Sequence, residues 1–261
     1  MIGIFDSGIG GLTVVQALKS MLPEYDMIYF GDTARTPYGS KSAKSVMEYA
    51  LQDTEFLISK GAKLIVVACN TASSIAMEAL TEKFDIPVFE VITPAAEHAV
   101  LVSKKLRIGV IGTRATINSG IYEKKILKLN PDAKILSYPC PLLVSLVEEG
   151  WIKKPETFMI VKKYLHPLKV RQIDTLIMGC THYPILKDTI QRKIGKQVKL
   201  IDSSITIAEN VKNFLKSNPD FDLTMQKNSK ICFYVSDITE QFKHTAKSIL
   251  KTSICLEPVN L

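Results

Sequence analysis

Two stretches of this 261-residue chain carry the residues best suited to chemistry. One is Leu64-Ile65-Val66-Val67-Ala68-Cys69-Asn70-Thr71, the other Leu176-Ile177-Met178-Gly179-Cys180-Thr181-His182-Tyr183-Pro184. Each is an apolar run that reads as a buried strand, then a cysteine, then side chains that hydrogen-bond. A free cysteine is most often an inert, buried small hydrophobe. A thiol at the C-terminal mouth of a strand is different, because ligands of open parallel α/β sheets bind there and helix N-terminal N–H groups lower a thiol's pKa. Two such thiols facing each other across a ligand suit one chemistry: a thiolate removes a proton from a carbon, a thiol delivers one to the opposite face, and the stereocentre inverts. Asp6 would serve one thiol and His182 the other, assisted by Glu148 or Glu149. Asn70, Thr71 and Thr181 offer neutral donors for a carboxylate. Asp6 also suits helix capping, as do Asn70, Thr71 and Thr181 after their strands, and His182 suits local backbone bonding.

The elements that must position these groups follow from pattern. Ile2–Phe5 reads as a strand, Asp6-Ser7-Gly8-Ile9-Gly10-Gly11 as a turn whose glycines let N–H groups face an anion, and Leu12 to about Met21 as a helix ended before Pro23. The glycine spacing is a poor match to a dinucleotide fingerprint. Met27–Phe30 is the next strand. Residues 31–40 form a polar loop punctuated by Pro37 and Gly39. A helix from Ser42 to about Lys60, the Cys69 strand, a helix to about Phe84 and a strand Val88–Ile92 follow. Thr93-Pro94-Ala95 breaks the pattern before a helix to about Lys105. Arg107–Thr113 then echoes Ile2–Gly8 and reads as a new unit. Helix 116–130, strand Lys134–Ser137, helix 155–168, the Cys180 strand, a helix after Pro184, strand Val198–Ile201, a cap at Asp202-Ser203-Ser204 and a helix from Ile205 to Leu215 come next. A polar surface loop over 217–229, strand Lys230–Val235 and helix Glu240–Leu250 complete the chain. Alternating strands and helices predict an α/β fold.

Composition is that of a globular protein, with 46% hydrophobic and 23% charged residues. The net charge of +7 fits an acidic small substrate. The lysine pairs (124–125, 153–154, 162–163) look scattered and solvated, so nucleic acid is not an expected partner. There is no charged-then-apolar leader and no apolar run long enough to span a membrane, which predicts a cytoplasmic protein. The cysteines are Cys69, Cys140, Cys180, Cys232 and Cys255. With an odd count, no C-x-x-C and a reducing compartment, neither disulfides nor structural zinc is expected. Cys232 and Cys255 fit the buried, inert reading, and Cys140 a structural one.

Five motifs in order give the chain a resemblance. They are Gly3–Val14 (GIFDSGIGGLTV), Gly31–Gly39 (GDTARTPYG), Ala68–Ser73 (ACNTAS), Leu146–Gly150 (LVEEG) and Gly179–Pro184 (GCTHYP). The chain resembles the glutamate racemases of the cofactor-independent aspartate/glutamate racemase superfamily. Phe233–Asp237 and the helix after it are similar too, so the resemblance is near full length. It implies interconversion of L- and D-glutamate, with Cys69 the base for the D-isomer and Cys180 for the L-isomer. Asp6, His182 and Glu148 would assist. Substrate contacts would come from Asp6, Ser7, Tyr38, Gly39, Asn70, Thr71, Thr181 and His182. It further implies two similar α/β domains with mainly parallel sheets and the site in the cleft between them. Their expected limits are 1–93 with 206–261, and 94–205. It implies neither pyridoxal phosphate nor metal, a homodimer, and a role in supplying D-glutamate for peptidoglycan. One position departs: where the family usually has Gly after Pro87-Val88-Phe89, this chain has Glu90, an acid near the hinge that bears on domain closure.

Three other readings stay open on the sequence. The same chemistry could act on another substrate, such as aspartate or a hydantoin. A hydrolase could use Cys180 as nucleophile and His182 as base, though two residues apart in one loop is awkward for that pair. A non-enzymatic protein could bind anions or a partner such as gyrase, a role reported for some relatives, and would leave both thiols dispensable.

Overall fold

The computed structural model describes residues 1–252 and 254–259. Among these residues, ten strands form two sheets. Strands β1 (Ile2–Asp6), β2 (Met27–Gly31), β3 (Leu64–Val67), β4 (Val88–Glu90), β9 (Ile231–Val235) and β10 (Leu256–Pro258) make the first, in the order β10-β9-β2-β1-β3-β4. The second holds β5 (Arg107–Gly112), β6 (Lys134–Pro139), β7 (Thr175–Gly179) and β8 (Lys199–Asp202), in the order β6-β5-β7-β8. Every pairing is parallel. A parallel sheet covered by helices on both faces needs strands apolar on both faces. That is why β1, β3 and β7 are unbroken buried runs. Among the described residues no helix is long and apolar enough to cross a membrane.

Alternation along the strands builds two cores. Ile2, Ile4, Met27, Tyr29, Leu64 and Val66 point to one side of the first sheet, and Phe5, Ile28, Phe30, Ile65 and Val67 to the other. The first set continues into Ile108, Val110, Ile177 and Met178 of the second sheet, so one apolar body runs through both halves. Helices Leu12–Met21, Ile92–Val102 and Ser203–Ser217 pack together along that seam.

Several sequence expectations need correction. The strand expected at Val88–Ile92 stops at Glu90, and a helix starts at Ile92 with no break at Thr93-Pro94. The cause is Glu90 itself. Its carboxylate accepts from the N–H of Ile92 and from that of Thr93 at 2.9 Å, the role of a helix cap. Pro94 then falls in the first turn, where its missing N–H costs nothing. Gly120, at φ +65°, divides the expected helix 116–130 into Arg114–Asn118 and Ile121–Leu129. The helix after Cys69 is broken at Ala76. The loop expected over 217–229 contains the short helix Pro219–Leu223, and β10 was not foreseen. Cys232 and Cys255 are exposed, not buried: β9 and β10 lie at one edge of the sheet.

The return of the chain into β9 depends on Asp26, which precedes β2. Its carboxylate accepts from Asn228 N (2.9 Å), Asn228 Nδ2 (2.8 Å) and Lys230 N (3.0 Å), which holds β9 in register with β2. Asp26→Ala is expected to lower stability by about 1–3 kcal/mol, read as a lower urea midpoint with an unchanged m-value.

Candidate active site

The C-terminal ends of β1 and β3 face the C-terminal end of β7 from the other sheet. Cys69 follows β3 and precedes the helix Asn70–Ile75, and Cys180 follows β7. Both thiols are buried, each only 5% exposed. Both line one small cavity of about 10 Å³ together with Ser7, Tyr38, Gly39, Asn70, Thr71, Thr181 and His182. That is room for about one water molecule. Asp6 and Glu148 do not line the cavity; they stand behind the residues that do.

The environments of the two thiols differ. Cys69 sits at a helix N-terminus, where its sulfur accepts from the Ala72 N–H and lies 3.7 Å from Ser7 Oγ. Burial, reinforced by the negative charge of Asp6, outweighs those contacts and pushes the Cys69 thiol up to about 12. Cys180 Sγ lies 3.7 Å from Nδ1 of His182, whose Nε2 is 2.6 Å from Glu148 Oε1. Burial of His182 opposes its charged form, but its bonds to Cys180 and Glu148 prevail and raise it well above the ordinary histidine value. Burial also opposes a charged Glu148, yet the bond to His182 and the Ile9 N–H hold its carboxyl below the usual range. The two shifts agree on an imidazolium–carboxylate pair beside Cys180. Glu149 ends its helix and is exposed, so Glu148 is the glutamate at the site.

Asp6 ties the halves together. Its Oδ2 accepts from Gly8 N (3.1 Å) and Gly11 N (3.0 Å), and its Oδ1 accepts from the Thr181 hydroxyl (3.1 Å). The capping role read from sequence is therefore present, beside the thiols. Complete burial raises its pKa against the pull of His182 and these donors. The Tyr38 hydroxyl lies within hydrogen-bonding distance of both Asp32 and Asp53 (2.9 Å), and its single proton serves one of them at a time. Burial and the neighbouring Asp32 raise the pKa of Asp53 well above its ordinary value, against the pull of Arg35 and the Tyr38 hydroxyl. Arg35 pairs with both acids, at 2.5 Å from Asp32 and 3.1 Å from Asp53.

Asn70 is the most informative of the polar residues. The Tyr122 hydroxyl donates to its Oδ1 at 2.7 Å, while its buried Nδ2 has no partner. A buried unpaired donor is costly in a protein interior. Beside a cavity it marks where an acceptor belongs. Thr71 Oγ1 meets Thr113 Oγ1 at 3.0 Å and Thr116 Oγ1 at 3.3 Å. Sequence reasoning missed Thr113, Thr116 and Tyr122. A signal existed for Thr113, since it ends the strand that echoes the first one; none existed for Tyr122. Among the described residues no group of three or more His, Cys, Asp or Glu is placed to hold a metal.

The chain is similar to known proteins over its full length. Residues 12–211 match the family model for Asp/Glu/Hydantoin racemase. A glutamate racemase of Persephonella marina is 46% identical over 260 residues, spanning 100% of this chain and 97% of the relative. The crystal structure of a Bacillus anthracis glutamate racemase superposes with a TM-score of 0.94 at 38% identity, covering 100% of this chain and 97% of that one. That of the Francisella tularensis glutamate racemase in complex with D-glutamate gives 0.90 at 43% identity, covering 99% and 97%. The chain thus belongs to the Asp/Glu/hydantoin racemase family and is an isomerase, an amino-acid racemase.

Proposed function

We propose that this racemase interconverts L- and D-glutamate by proton transfer at Cα between Cys180 and Cys69. The observation that carries the reading is the pair of buried thiols, brought from matched strand ends of two sheets to one small cavity. Cys180, facing the His182 imidazolium, acts as the thiolate that takes the Cα proton of L-glutamate. Cys69, a neutral thiol by its raised pKa, gives its proton to the opposite face. The products are D-glutamate, a Cys180 thiol and a Cys69 thiolate. That thiolate is the base that deprotonates D-glutamate in the reverse direction, with Asp6 assisting.

The Cα–H of an amino acid is far less acidic than a thiol, so the carbanion-like transition state needs preorganised donors. Asn70 Nδ2, left unpaired in the protein, together with the hydroxyls of Ser7 and Thr71, supplies them, while the Thr181 hydroxyl is held by Asp6. The backbone of Tyr38-Gly39 and the turn after Asp6 receive the remaining polar groups of the substrate, distal carboxylate included. A cavity of about 10 Å³ does not admit an amino acid, so residues 1–93 with 206–261 and residues 94–205 act as two domains that part to admit it. The natural setting is the cytoplasm, with a homodimer supplying D-glutamate for peptidoglycan and cell shape, and without cofactor.

In D₂O without added cofactor, purified protein is expected to invert both isomers with deuteration at Cα. Cys69→Ser and Cys180→Ser are each expected to lose inversion by about 10²–10⁴-fold. Unequal residual exchange from the two isomers would assign each thiol to its face. Activity confined to another amino acid would move the substrate, and silence on every amino acid would sink the reading.

The pH profile carries a second expectation. The raised pKa of His182 keeps the imidazolium up to alkaline pH, and its charge is lost only as pH rises through that value. Glu148→Gln removes one source of the rise, so the alkaline limb of kcat/KM for L-glutamate is expected to move to lower pH. An unmoved limb would dissociate Glu148 from the histidine's charge.

Tyr122→Phe frees the Asn70 amide to turn. It is expected to lower kcat and kcat/KM for glutamate several-fold, about what one hydrogen bond contributes. An unchanged kcat/KM would contradict the positioning role.

A further inference from the structure

The chain's excess positive charge is concentrated in one segment. Residues 153–199 hold eleven Lys and Arg against three Asp and Glu, a net of +8, while the whole chain has a net of +7. The fold gathers part of this segment on one surface. Lys162, His166 and Lys169 follow each other along helix Pro155–Val170, and Arg192 and Lys193 end the adjoining helix Lys187–Ile194; together they line a groove of about 460 Å³. A second groove, of about 580 Å³, shares Val170 with the first and adds Arg107, Lys134 and Arg171. No acidic residue lines either groove. Among the described residues, none of these seven permanent cations is paired with a carboxylate.

Helix dipoles do not account for the cluster. The two helices both end here, and each C-terminus brings about half a negative charge, which leaves most of the positive charge uncompensated. Catalysis does not account for it either. Arg107 and Lys134 open β5 and β6, so the surface lies at the N-terminal edge of the second sheet, away from the thiols at the C-terminal ends.

The geometry points to a docking surface for the sugar–phosphate backbone of a nucleic acid. Two contiguous concave grooves walled by cations suit an extended chain of phosphates, whereas a flat bilayer cannot enter them. Binding of this kind is sequence-tolerant and driven by counterion release. Phe158, under Arg192 at 5.4 Å and Lys193 at 5.9 Å, holds two of the cations over its ring at the groove wall.

The test is fluorescence anisotropy with a labelled single-stranded oligonucleotide, on the full chain. Contacts to four phosphates predict affinity about 50-fold weaker at 200 mM than at 50 mM salt. Replacing Lys162, Lys169, Arg192 and Lys193 by Ala is expected to weaken binding at least about tenfold at fixed salt, with racemase activity retained as proof of folding. A control that removes equal charge elsewhere (Lys44, Lys63, Lys212 and Lys216 to Ala) is expected to leave affinity within about twofold. Equal losses in both variants would reduce the effect to net charge and overturn the proposal. So would no binding of the oligonucleotide, or binding of phosphatidylserine vesicles in its place.

Discussion

No side chain larger than hydrogen fits at residue 10. A Cβ there would stand 2.4 Å from Thr181 Oγ1 and 2.5 Å from His182 Nδ1, closer than any real contact. At residue 10 the turn after β1 therefore meets the loop after β7 with backbone alone. Gly39 repeats the device against Thr113, at 2.4 Å. These two close approaches let strand ends from different sheets meet, and everything in the site depends on that meeting. Gly11 serves the same region differently: a Cβ would collide with Asp6 Cβ at 2.3 Å and displace the carboxylate that accepts from Thr181.

Once the strand ends meet, burial governs the electrostatics. Two chemically identical thiols acquire opposite surroundings: Cys69 an apolar shell and an acid, Cys180 an imidazolium paired with Glu148. The same burial raises the pKa of Asp53 beside Asp32 and Arg35, and the network of these three anchors the loop carrying Tyr38-Gly39.

Much of the fold was legible because parallel strands buried on both faces leave continuous apolar runs, and glycine and proline punctuate them. The helices Leu12–Met21 and Glu240–Leu250 have the limits that their patterns predict. Errors arose where one side chain overrode the local pattern. Glu90 caps a helix that Thr93-Pro94 was expected to interrupt, and Cys232, in the strand next to the edge strand β10, is exposed within an apolar run.

By itself the sequence determined the alternation of strands and helices, the two Cys-containing strand ends, and the residues flanking them, because these depend on local spacing and residue type. It did not determine that Glu148 rather than Glu149 meets His182, that Tyr122 orients Asn70, or that Asn70 Nδ2 is left without a partner. Nor did it show that lysines looking scattered along the chain converge with Arg192 on one groove. Each of these is a contact between segments far apart in sequence. Only the packing of one sheet against the other sets such distances, and the charge state of each buried group follows from them.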